Sequence, residues 1–320
     1  PLILGSTMAV LTHPRFALFA LLTPAVAVAT WWSARRRARR ENRLSARDFR
    51  RRLDEFARAA DIAHRAANDH CRRTTVDLAG AAALVDGPST HLWERRLDHD
   101  DALLVTVGLG ALPWRIDLGP DPPAEARAVV AALGPLRDVP VTLDLSTPAG
   151  IVGPRPLARA LARSLVLQAA ALHGPADLGI HVVTDDEGAP DWAWASWLPH
   201  HDRPAGPDGG IDQTVVDLGQ PGFELLGEVG ERLASGSGVV LAERRRDLPS
   251  GCRSVVEIVD ADGTVTVDGT DPRPPWGLLA GLAPDPAEAR ARRLAGVADP
   301  EAADEAGSLP TTVGLADLLG

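Results

Sequence analysis

The chain has 320 residues, 45% of them hydrophobic, enough for a substantial core and one or two domains. Its net charge of −10 is divided unevenly: residues 1–73 carry fifteen arginines against six acids (+9), and the remainder eighteen against thirty-seven (−19). That split excludes a nucleic-acid-binding body and points the basic arm to a membrane surface or nucleic acid, while the absence of any lysine excludes a working Walker-type phosphate loop.

The first segment, "PLILGSTMAVL", is apolar and is broken by "THPR". Phe16 to Trp32 follows, seventeen residues without a charge, at the short end of what crosses a hydrocarbon core of about 30 Å. Trp31 and Trp32 stand where an interfacial aromatic belt belongs, and Arg35, Arg36, Arg37, Arg39 and Arg40 come directly after them. This order is the reverse of a signal peptide and sets the C-terminal side in the cytoplasm. Residues 1–32 therefore read as a transmembrane hairpin: the end of one helix, a tight turn at His13-Pro14-Arg15, and a second helix over 16–32. On this reading the sequence is a fragment cut within that hairpin.

Residues 33–75 contain no Pro or Gly and read as an Arg-rich helical stalk. Ala46, Phe49, Leu53, Phe56, Ala60, Ala63 and Ala67 recur at spacings of 3 and 4, which gives one apolar seam. Two occupants suit that seam: the body of the same chain, or a neighbouring helix of another copy. The arginines nearest the bilayer favour anionic headgroups.

From residue 76 to 283 the pattern is mixed α/β. Strands are expected at 102–107 and 112–118 about Gly108, and at "VPVTLDLS", "LGIHVVTDD", "TVVDL" and "GVVLAE". Helices are expected at "ARAVVAALGPL", ending at Gly134, at "PLARALARSLVLQAAALHG", stopped by Gly174-Pro175, and at "FELLGEVGERLA". "SVVEIVDADGTVTVDG" reads as a hairpin turning at Asp262-Gly263. Alternating strands and helices imply a mostly parallel sheet covered on both faces, with two hairpins at its edges. Residues 284–320 read as a helix and a linker.

Few residues carry chemistry. Cys71 and Cys252 fit no disulfide or metal spacing and read as isolated thiols. "DWAWASWLPHHDRP" holds Trp192, Trp194 and Trp197, which suit a core plug or a partner surface. His200 and His201, adjacent beside Pro199, point apart, so no metal is expected there. Asp185-Asp186-Glu187 can hold Mg²⁺ but reads better as an acidic turn, and Arg244, Arg245 and Arg246 as a solvated loop. His173 sits at a helix C-terminus, where an imidazole serves the dipole.

"TPAGIVGPRPLARALARSLVLQ", residues 147–168, has the order of a phosphate cradle: strand, glycine turn, helix. Laid on G-x-x-x-x-G-K-[ST] from Gly150, it puts Arg155, Pro156 and Leu157 at the Gly, Lys and Ser/Thr positions. Pro154 and Pro156 have no N–H to offer, and Pro156 suits the first turn of a helix. Gly150, Gly153 and Arg155 thus make a vestigial phosphate loop, with no cofactor or metal expected; Arg155 alone can still meet an anion at the helix N-terminus. There is no G-x-S-x-G, no G-x-G-x-x-G after a strand and no acid/base cluster. Two classes remain: a membrane-tethered Rossmann-like enzyme or nucleotide binder, and a non-catalytic α/β module.

"PLILGSTMAVLTHPRFALFALLTPAVAVATWWSARRRARR", "HLWERR", "VTVGLG", "GIVGPRPLARALARSLVLQAAALHGPADL", "DWAWASWLPH" and "LPSGCRSVVEI", in this order, resemble the N-terminal half of actinobacterial FtsK/SpoIIIE-type ATPases, nearest to EccC-like motor subunits of type VII secretion. "ARRLAGVADPEAADEAGSLPTTVGLADLLG" is similar to the linker before their first true ATPase domain. The resemblance implies a pair of transmembrane helices, a stalk and a degenerate ATPase-like domain. RecA-like motors would then follow, carrying the catalytic residues, ATP and Mg²⁺. It implies a cell-membrane protein with residues 35–320 in the cytoplasm and partners in lipid, in further copies of itself and in other secretion subunits, with DNA reached only through the missing motors. It also implies a parent that exports protein or pumps DNA.

Overall fold

A computed structural model describes residues 46–201, 210–218, 237–268 and 276–299. The expected membrane hairpin with Trp31 and Trp32, the arginines Arg35, Arg36 and Arg37, the helix at 223–234 and the linker at 300–320 lie outside them. Among the described residues, no helix is long and apolar enough to cross a membrane.

The chain runs α1 (Ala46–Thr74), α2 (Leu78–Asp86), β1 (Leu104–Leu112), α3 (Ala124–Leu133), β2 (Leu136–Asp144), β3 (Ala149–Val152), α4 (Arg155–Leu172) and β4 (Leu178–Thr184). A one-turn helix and a 3-10 turn (Ala193–Trp197) lead to β5 (Ile211–Asp217), β6 (Ser237–Ala242), β7 (Ser254–Ile258), β8 (Thr264–Asp268), β9 (Trp276–Leu279) and α5 (Pro284–Leu294). The nine strands form one sheet in the order β2-β1-β9-β8-β7-β3-β6-β5-β4. From β7 to β4 every pairing is parallel, and from β7 to β2 every pairing is antiparallel.

This corrects the mostly parallel sheet with edge hairpins. The β7–β8 hairpin does turn at Asp262-Gly263, with Gly263 at φ 82° and the Asp260 carboxylate accepting the Asp262 and Thr264 N–H groups. It lies inside the sheet, however, because β9 inserts between β8 and β1. In place of the strands expected at 102–107 and 112–118 there is one strand, Leu104–Leu112, which runs through Gly108, and residues 113–118 belong to no strand. Gly108 explains the continuity: a Cβ there would stand 1.8 Å from the Leu278 carbonyl oxygen, so only glycine lets β9 come close enough to pair.

One core binds the sheet to α2, α4 and α5. Val105, Val107, Val141, Leu143, Ile151, Val215 and Val239 from the strands meet Leu161, Leu165 and Ala169 of α4 and Leu294 of α5. Every residue of α4 from Leu161 to Leu172 is buried, so this helix is the centre of the fold. A buried Gln168 on α4 takes up the backbone of Thr106 at the bulge in β1, accepting its N–H (2.9 Å) and donating to its carbonyl (2.8 Å). On the other face Val216 and Val240 pack with Leu248 and Cys252.

The seam of α1 is filled from within the chain. Phe56 and Ala60 are buried against Trp114, Leu118, Val129, Val130 and Leu133, the His64 ring meets Trp114 edge-on at 4.9 Å, and Arg72 donates to the Asp138 carbonyl. Of the two occupants expected for the seam, the body of the same chain takes the part about Leu53, Phe56 and Ala60. Likewise α5, expected in the linker region, packs on the core.

Candidate functional site

In a sheet of this kind, ligands bind beyond the C-terminal ends of the parallel strands, at the point where successive connections diverge. Here that point is β3: its helix α4 leads to β4 three strands away, while β7 pairs on the other side. The head of α4 is thus where a phosphate would sit.

Local geometry closes it. Only Gly153 and Pro154 separate β3 from α4, so Gly150 of the template lies within the strand. Of the backbone nitrogens from 153 to 158, two are proline nitrogens and three already donate: Gly153 to the Ala242 carbonyl, Leu157 and Ala158 to that of Pro154. The glycines have packing reasons. A Cβ on Gly150 would meet Leu248 Cδ1 at 2.4 Å, and one on Gly153 (φ 149°) would meet Ile258 Cβ at 2.7 Å.

A charge cluster occupies the mouth. Arg155 donates from Nε to Asp217 Oδ1 (3.0 Å) and from Nη2 to Asp185 (3.2 Å). One turn on, Arg159 donates from Nε to Asp217 Oδ2 (2.7 Å) and pairs with Asp191, while Trp192 Nε1–H also donates to Asp217 Oδ2 (2.8 Å). Another turn on, Arg163 donates to the Leu282 carbonyl (2.8 Å) and lies 3.9 Å from Asp191. Three arginines face three aspartates, so the group carries no net charge. Burial alone would lower the Arg155 pKa, but hydrogen bonds and attraction from Asp185 and Asp217 outweigh it and raise it. For Arg163 burial prevails, aided by repulsion from Arg159, and the pKa is lowered against the pull of Asp191 and Asp217.

Two strand-end carboxylates, Asp185 and Asp217, engage the Arg155 Nε and Nη2 donors that an anion would otherwise meet. Asp185 also serves its own turn, accepting the Gly188 N–H at 2.7 Å. Arg159, Arg163, Asp191 and Asp217 were not singled out in the sequence, although arginines at 155, 159 and 163 fall on one helical stripe.

The tryptophan segment divides. Trp192 and Trp194 are buried in the core with rings stacked 6.3 Å apart, the core plug of the two readings; Trp197 remains 43% exposed, with the Arg292 guanidinium 4.1 Å above its ring. His173 is buried as a neutral imidazole, its Nε2 accepting the Leu103 N–H and its Nδ1–H donating to the Ala169 carbonyl. Burial first, offset by that carbonyl, brings its pKa down to about 4, so it satisfies the last turn of α4 by hydrogen bonding and contributes no charge to the dipole. His200 Nε2–H donates to the His173 carbonyl, and Arg245 pairs with Asp268 on the surface. Among the described residues, no group of three or more His, Cys, Asp or Glu is placed to hold a metal.

No family model matches the chain. Over 144 residues it is 33% identical to the ESX-4 secretion system protein EccC4 of Mycobacterium tuberculosis, covering 41% of this chain and 12% of that protein. Over 131 residues it is 34% identical to the ESX secretion system protein EccC of Thermomonospora curvata, covering 36% and 10%. Over these stretches the chain is similar to EccC secretion proteins. The matched stretches make up only about a tenth of those EccC proteins. The cytoplasmic domain of the Thermomonospora curvata type VII secretion ATPase EccC aligns with a TM-score of 0.47 at 13% identity, covering 71% of this chain and 35% of that one.

Proposed function

We propose that the chain is the membrane-anchored, non-catalytic N-terminal region of an EccC-like secretion motor, coupling a membrane arm to ATPase domains downstream. The observation that carries this is the head of α4: the position for a phosphate is filled by Arg155, Arg159, Asp185 and Asp217 of the chain itself. Nucleotide hydrolysis is chiefly positioning and charge stabilisation, and here the lysine is absent and the donors are engaged. A tethered Rossmann-like enzyme would need that crevice open.

On this reading Phe16–Trp32 is the anchor, and the arginines after it keep residues 35–320 in the cytoplasm. ATP and Mg²⁺ act in the downstream domains, and protein export or DNA movement belongs to the whole motor. Lipid headgroups, other copies joined through the membrane hairpin, and other secretion subunits are its partners. The test replaces the cluster by apolar residues (Arg155→Met, Arg159→Met, Asp217→Leu) and titrates the parent chain and the folded variant with Mg·ATP. Neither should bind; saturable binding by the parent chain that the variant lacks would mean the site is a working one.

A further inference from the structure

The arginine stripe of α4 extends beyond the phosphate position. Arg163, 5% exposed, donates from Nε to the carbonyl of Leu282 at 2.8 Å, and the Leu282 N–H donates to the carbonyl of Ala160 at 2.8 Å. Leu282 belongs to a strap, residues 276–299, that carries the chain out of the sheet: β9, a short connection, then α5. The strap has other holds. Strand β9 pairs with β1 and β8, and Ala287, Ala291 and Leu294 seat α5 on the core. Asp86 at the end of α2 accepts from Arg290 (2.8 Å) and Arg293, and Asp299 accepts the Ala176 N–H (3.2 Å).

The side-chain pairs among these are partly exposed, and such pairs contribute about 0–1 kcal/mol each. Arg163 is different because it is buried and charged. It makes one good hydrogen bond, to the strap, and its Nη1 has no hydrogen-bond partner, standing 3.9 Å from Asp191 Oδ1. Asp191 is shared with Arg159, and Arg159 shares Asp217 with Arg155. The strap is therefore the last link in a continuous series that begins at the ends of β4 and β5.

We propose that this series is a latch: the charge cluster at the head of α4 holds Arg163 in place, and Arg163 holds the strap against the core. The inference rests on the coupling role above and gives it a route, from the strand ends through α4 to the segment that leads toward residue 300. Disturbing the cluster loosens the exit segment before it loosens β4 and β5.

Hydrogen exchange on the full chain tests this. Arg163→Met keeps most of the stem and removes the donor; amides in 277–299 should then exchange about 10- to 100-fold faster, as expected for a charge-assisted hydrogen bond lost in the interior. Those of β4 and β5 should stay as protected as in the parent chain. Asp191→Asn should loosen the same amides to a smaller degree. If Arg163→Met fails to fold, Arg163→Lys keeps the charge without the planar fork and should show the same selective loss. Unchanged strap protection, or strap and β4–β5 loosening only together, would overturn the latch. Exchange is read on the chain alone, so an intact latch in a chain that plays no part in export would refute the coupling role and leave the latch standing.

Discussion

Replacing Asp217 by asparagine removes one charge and almost no volume. The carboxylate is 1% exposed and accepts from Arg155 Nε, Arg159 Nε and Trp192 Nε1 at 2.7–3.0 Å. Asparagine offers a single acceptor oxygen and turns an amide donor toward the guanidinium groups. The Arg155 and Arg159 side chains are 19% and 11% exposed, so water does little to screen the loss. Breaking a buried pair from one side costs about 3–5 kcal/mol, which lowers Tm by roughly 10 °C in a body of this size. Urea unfolding should show a lower midpoint with an unchanged m-value. A loss below about 1 kcal/mol for Asp217→Asn, the scale of an exposed pair, would refute the reasoning.

His173 titrates at 6.5 when unfolded and about 4 when folded. Above pH 6.5 it is neutral in both states and adds no pH dependence. Below that only the unfolded chain takes the proton, so stability should fall by about 1.4 kcal/mol per pH unit, roughly 3 kcal/mol by pH 4. His173→Gln should flatten that slope in denaturant titrations across pH 4–7. Phe56→Ala removes the ring at the centre of the α1 seam and should cost about 3 kcal/mol, with faster exchange in residues 50–70; no change would mean that α1 does not rest on the body. Gly108→Val should break the pairing of β1 with β9, exposing amides 108–111 and 276–279 to exchange while the parallel strands stay protected.

Where proline and glycine chemistry is local, the fold was legible. The β3–α4 turn, the end of α3 at Gly134 (φ 68°) and the turn at Asp262-Gly263 all follow from residues within four positions. The insertion of β9 was not legible: "WGLL" is four residues without alternation, and its pairing partner Leu109 lies far back in the chain. The seam of α1 was visible as a period, but a period names a face and not what covers it. The charge cluster is the instructive miss. Arginines at 155, 159 and 163 stand one turn apart, yet the carboxylates that meet Arg155 are 30 and 62 residues away, at the ends of strands whose order in the sheet no local pattern reveals. The same spacing rule that found the apolar seam of α1 finds the basic stripe of α4.

Whether the head of α4 is filled by the chain's own side chains is decided most directly by calorimetric titration of the full chain in detergent with Mg·ATP, repeated with Arg155→Ala. No saturable heat should appear with either protein, and no phosphate should be released. Micromolar binding that disappears with Arg155→Ala, or any turnover by the chain alone, would contradict it.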